Sequence, residues 1–138
     1  MNIRSYKDED YDNLKQLYLD TNLYGGSFDE FRDGRDTLAK KISQDSEAII
    51  VAEEQGELIG SISIIEDGRV AWLYRFVALK DNTAEALYEV ARETLSKRGH
   101  KEVLVYSDPN NDSLTERYTN LLGFNRGNNF VCFWKEII

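Results

Sequence analysis

The sequence predicts a mixed α/β fold: one central sheet, mixed and mostly antiparallel, of about seven strands flanked by about four helices. Three observations predict it. First, the β-rich runs Ala48–Glu53 and Leu58–Ile65 are separated by Glu54-Gln55-Gly56-Glu57, a hairpin signal. Second, Val70–Leu79 follows Glu66-Asp67-Gly68-Arg69, whose Asp-Gly pair is a strong turn cue, so the three runs form an antiparallel meander. Third, the apolar period then changes to 3.6, with Ala84, Leu87, Tyr88, Ala91 and Leu95 on one helix face, before the short apolar run Glu102–Tyr106. A strand–helix–strand unit needs a crossover, which makes Val70–Leu79 and Glu102–Tyr106 parallel neighbours.

The other elements follow in chain order. Asn2–Tyr6 alternates apolar and polar residues, as a short strand does. The segment from Asp8 to Asn22 reads as a helix, with Asp8 as cap and Tyr11, Leu14, Leu17 and Tyr18 as its apolar stripe. Tyr24-Gly25-Gly26-Ser27 breaks the pattern. A second helix is expected over Phe28–Ile42, interrupted at Gly34. In the long helix, Asn82 and Glu85 resemble a capping box, and Arg98-Gly99 supplies a positive end and a stop. Ser113 and Glu116 open a last helix carrying Leu114, Tyr118, Leu121 and Leu122, which Gly123 ends. A turn at Arg126–Asn129 and the strand from Phe130 to Ile137 close the chain, with Phe130, Cys132 and Trp134 on one strand face. That face makes Cys132 a core residue rather than a nucleophile.

Composition bounds the function. The 138 residues suit a single domain over 1–138, and the 41% of hydrophobic residues can build a core without disulfides. One cysteine fits a cytoplasmic protein. The start "MNIRSYKDEDYDNL" lacks the apolar run of a signal peptide, and no stretch reaches the ~20 apolar residues of a membrane helix. A net charge of −8 argues against nucleic acid and suits either plain solubility or a cationic partner. Asp108 and Asp112 lack EF-hand spacing, so no metal site is read. His100 follows Gly99 in a turn and reads as a surface residue. Arg75, within a strand, reads as an exposed face residue or a ligand contact.

Three segments carry a family resemblance. "IIVAEEQGELIGSISI", "ARETLSKRGHKEVLVY" and "NNDSLTERYTNLLGF", in this order, resemble the hairpin, the long helix with its following strand, and the Asn-to-Gly-Phe segment of the GNAT acyl-CoA-dependent N-acetyltransferases. The resemblance covers nearly the whole chain. It implies acetyl-CoA as co-substrate and a primary amine acceptor, small molecule or protein. It implies main-chain groups near Phe76 and Val77 holding the pantetheine arm, and a pyrophosphate at the helix start around Asn82, Thr83 and Ala84. It also implies Asn111 as a CoA contact and Tyr118 as the proton donor to the leaving thiolate.

This chain departs from the family pattern in three places. Lys80-Asp81-Asn82-Thr83 has no glycine and no arginine, and Asp81 and Glu85 already occupy the positive end of the helix. "AWLYRFVAL" has no carboxylate to serve as base. Tyr118 to Gly123 is one residue longer than the pattern, so that counting back from Gly123 puts Thr119 in the tyrosine's place. Tyr118 is therefore either the acid or a core-lining residue on the stripe of Leu114 and Leu121. The alternative function is a non-catalytic module of the same fold, binding a ligand or a partner without CoA. An unrelated mixed α/β binding domain is a third. The final strand can complete the core or pair with a second copy in a homodimer.

Overall fold

The computed structural model describes residues 1–138, which form two compact units, Met1–Tyr106 and Ser107–Ile138. In the first unit β1 (Asn2–Ser5), β2 (Ile49–Glu54), β3 (Glu57–Glu66) and β4 (Ala71–Ala78) form an antiparallel sheet in chain order. The turns match their residues. Gln55 and Gly56 lie at φ 54° and 80°, the left-handed pair that a two-residue hairpin between β2 and β3 requires. Asp67 Oδ1 accepts the N–H of both Arg69 and Val70 and closes the next turn.

Helices α1 (Tyr11–Asp20) and α2 (Arg35–Gln44) precede β2, and α3 (Asp81–Lys97) follows β4. The α1 start is a 3-10 turn over Asp8–Asp10, and Asp10, not Asp8, caps it by accepting the Lys7 N–H at 2.8 Å. Helix α2 is shorter than its pattern because Gly34 is its N-cap; a Cβ there would lie 2.4 Å from Glu30 O. Leu14, Leu17, Tyr18 and Leu38 join Ile49, Val51 and Val77 in one core cluster. Helix α3 buries Thr83, Ala84, Leu87, Ala91 and Leu95. It packs closely on Gly60, where an added Cβ would meet Leu87 Cδ1 and Thr83 Cγ2, each at 2.8 Å.

The sheet has four strands rather than about seven. Of Glu102–Tyr106 only Leu104 pairs, in a parallel bridge with Trp72, exchanging bonds with Ala71 O and Leu73 N. Trp72 and Tyr106 stack at 4.8 Å. The expected final hairpin and strand are not formed: Phe130, Phe133 and Trp134 are 73%, 91% and 83% exposed, and Cys132 is exposed rather than in a core. Alternation reports a side-chain pattern, but a strand also needs a neighbour for its main-chain groups. No helix is long and apolar enough to cross a membrane.

The second unit carries α4 (Asp112–Glu116), continued by a π turn over Arg117–Leu121. Its cap is Asn111, whose Oδ1 accepts the Leu114 N–H at 3.1 Å.

Candidate functional site

Strand β4 contains a bulge. Ser63 pairs with Tyr74 but Ser61 pairs with Val77, so Arg75 and Phe76 together oppose Ile62. Arg75 takes φ 47°, the left-handed region that a non-glycine residue enters at a cost of about 1–3 kcal/mol. Tertiary contacts hold it there. Its Nε and Nη2 bond the two oxygens of Asp33 at 2.9 and 2.8 Å, and Nη2 also reaches Ser27 O at 3.1 Å. The guanidinium lies 4.8 Å from the Tyr74 ring centroid.

Asp33 is 1% exposed, accepts the Asp29 N–H as well, and takes the Tyr11 hydroxyl on its main-chain oxygen. The segment between α1 and α2 is thereby tied to the bulge. Arg75 is neither an exposed face residue nor uncommitted: its side chain is 11% exposed and paired.

The bulge changes which residues face the outer edge of β4. Leu73 N and Ala71 O face outward to Leu104, whereas Leu79 N bonds Ile59 O on β3. Alternation therefore turns the main-chain groups of Val77 toward β3 and those of Ala78 outward. There the Tyr24 hydroxyl accepts the Ala78 N–H at 3.2 Å and donates to the Ala78 carbonyl. Val77 is buried, and Phe76, the second bulge residue, is half-buried. Of the aromatics on α1 and in the segment that follows it, Tyr18 is buried in the core, Tyr24 and Phe28 are half-buried, and Phe31 is exposed. Burial raises the Tyr18 phenol well above its usual range.

The start of α3 lies just beyond this edge. Lys80, not Asn82, is the N-cap, and no side chain caps the helix. Thr83 is fully buried, with Oγ1 3.4 Å from Met1 Sδ, and Ala84 N–H bonds Lys80 O. Asn82 is exposed. The Lys80 ammonium pairs with Glu54 at 3.0 Å, and this bond holds the Glu54 carboxyl below its ordinary value. Glu54, Asp81 and Glu85 place three carboxylates near this helix start, beside the Lys80 ammonium and the Met1 amino group, whose charge also lowers the Glu54 carboxyl. Neither the charge nor the glycine-free backbone fits the pyrophosphate of CoA.

At the other end of α3, Arg98 bonds Asp45 through two 2.9 Å contacts and Glu66 at 3.3 Å. His100 Nε2 lies 2.6 Å from Glu66, with 5% of its side chain exposed. This histidine is a buried member of an ion network, not a surface residue. The sequence signal was the Arg98-Gly99-His100 helix stop.

In the second unit the Asn111 side chain is the α4 cap. Tyr118 is half-buried and meets Phe124 edge-to-face at 5.6 Å. The additional residue before Gly123 is absorbed by the π turn: Leu122 N–H reaches Arg117 O, five residues back. Thr119 Oγ1 bonds Thr115 O at 2.8 Å.

The fold is that of the GNAT acetyltransferases. A presumed acetyltransferase from Agrobacterium tumefaciens matches 98% of this chain and 100% of its own, at 16% identity and TM-score 0.75. The PaiA N-acetyltransferase of Thermoplasma acidophilum, solved with coenzyme A, matches 86% of this chain and 87% of its own, at 22% identity and TM-score 0.66. AAC(6')-Iy, bound to the bisubstrate analogue CoA-S-monomethyl-acetylneamine, matches 99% of this chain and 98% of its own, at 18% identity and TM-score 0.70. No protein-family model and no curated protein matches the sequence.

Proposed function

We propose that the chain is an N-acyltransferase that moves an acetyl group from a thioester of the acetyl-CoA type to a primary amine. The observation that carries this reading is the β4 bulge at Arg75–Phe76, which turns the main-chain groups of Ala78 to the outer edge of the strand. The fold's solved examples include acetyltransferases bound to coenzyme A and to a bisubstrate analogue. The donor is held by its amide-bearing arm along Phe76–Ala78, because the α3 start supplies no phosphate grip.

The amine lone pair attacks the thioester carbonyl carbon directly. Main-chain donors at the bulge stabilise the charge that builds on the carbonyl oxygen. The C–S bond then breaks, the thiolate takes its proton from the Tyr118 phenol, the ammonium proton of the acceptor passes to water, and the tyrosinate regains a proton from water. The acceptor is a small molecule or a protein amine, and the net charge of −8 favours a cationic one.

Thiol release from acetyl-CoA and from S-acetylpantetheine, measured over a broad amine panel, tests the reading. Amine-dependent release is expected, slowed about 10²–10⁴-fold by Tyr118→Phe with the fold intact. The absence of amine-dependent release with either donor counts against it. A second reading is favoured by the carboxylates around Lys80: a non-catalytic module of this fold. Measurable turnover would end it.

A further inference from the structure

We infer that Tyr24 is an internal stand-in for the donor's arm on the outer edge of β4, and that it must leave before a donor can bind. The inference rests on the acyl-transfer reading above and adds a residue that gates it. An edge strand exposes main-chain N–H and C=O groups that need partners. Leu104 supplies them at Ala71 and Leu73. At Ala78 one phenolic oxygen supplies both, accepting from N–H and donating to C=O. Two successive amides of an extended chain can present the same pair, the C=O of one to the N–H and the N–H of the other to the C=O of Ala78. The two partners exclude each other.

The turn that delivers Tyr24 is built as a strained element. Asn22, Leu23 and Tyr24 lie at φ 48°, 46° and 52° in succession. Non-glycine residues visit this region singly, at about 1–2 kcal/mol each, and rarely as a run. Gly25, at φ 99°, and Gly26 follow. Gly26 packs so close to the bulge that a Cβ would sit 3.3 Å from Arg75 Nη1. Release of Tyr24 from Ala78 removes one of the contacts that hold the strained run, and Gly25, where a Cβ would meet nothing within 4 Å, gives it room to turn. The tyrosine thus protects the edge in the empty protein and yields to a ligand that satisfies the same groups.

The test titrates S-acetylpantetheine into the full chain and into Tyr24→Phe by calorimetry. If the hydroxyl competes with the donor, the apparent Kd of the wild type carries the fraction of molecules already open, and Tyr24→Phe binds about 5- to 30-fold tighter. Equal or weaker binding by Tyr24→Phe, with the wild type binding, overturns the inference and leaves the acyl-transfer reading standing. No binding by either protein overturns both.

Because the variant can lose stability, a second measurement uses the wild type alone. Ring-labelled tyrosine NMR at saturating S-acetylpantetheine is expected to show the Tyr24 signal shifted and Ala78 still protected from amide exchange. A Tyr24 signal unchanged at saturation overturns the inference.

Discussion

Replacing Asp33 with asparagine keeps the side chain's shape and removes its charge, leaving the Arg75 guanidinium buried without a counter-ion. The pair meets at 2.8 Å, with side chains 11% and 1% exposed. At an effective permittivity of about 20 that contact is worth roughly 6 kcal/mol of gross attraction. Desolvation offsets much of it, and removing one partner of such a pair costs about 3–5 kcal/mol. The loss also frees Arg75 from the contact that holds it in the left-handed region, so the bulge itself loosens. With an unfolding entropy of about 2.1 cal/mol/K per residue, 3 kcal/mol lowers Tm by about 10 °C.

Urea unfolding of the single variants and of Asp33→Asn/Arg75→Gly reads the effect. Arg75→Gly relieves the backbone strain while removing the stranded charge, so the double variant is expected to be more stable than Asp33→Asn alone. A loss under about 1 kcal/mol for Asp33→Asn, or strict additivity in the cycle, would refute the argument.

Other outcomes follow from the same contacts. Gly60→Ala drives a Cβ into Leu87 and Thr83 and is expected to cost about 1–3 kcal/mol in urea unfolding, lifting α3 from β3. Arg4 holds the Asp10 carboxyl below its ordinary value of 3.8, and Arg98 does the same for Asp45. The stability these groups add is present above that value and lost as pH falls through the lowered one. Thermal scans should therefore show an acid limb beginning below about pH 4, and Asp10→Asn should flatten it. With the donor held by its arm alone, as proposed, acetyl-CoA and S-acetylpantetheine should bind within about threefold of each other. Glu54→Gln, which releases Lys80, should raise only the acetyl-CoA affinity, by a few-fold in calorimetry.

The parts of the fold that local chemistry decides were legible in the sequence. Gln55-Gly56 and Asp67-Gly68 set the two turns of the meander, and the stripe from Ala84 to Leu95 set α3. The extra residue between Tyr118 and Gly123 was countable, and the π turn is what the backbone does with it. The site was less legible, because distant partners decide it. "WLYRFV" holds no glycine or proline to mark a bulge; Arg75 is bent by Asp33, 42 residues earlier. Tyr24 looked like a pattern break because Gly25-Gly26 follows it, and nothing local points to Ala78, 54 residues on. His100 was misread because Glu66 is likewise distant in sequence.

Calorimetric titration of the purified chain with acetyl-CoA, with S-acetylpantetheine and 3'-dephospho-CoA in parallel, tests the central claim most directly. The account predicts saturable binding of the thioester arm, with little gain from the nucleotide. Binding that depends on the phosphates would contradict the reading of the α3 start. No binding up to millimolar concentration would contradict acyl transfer on this fold.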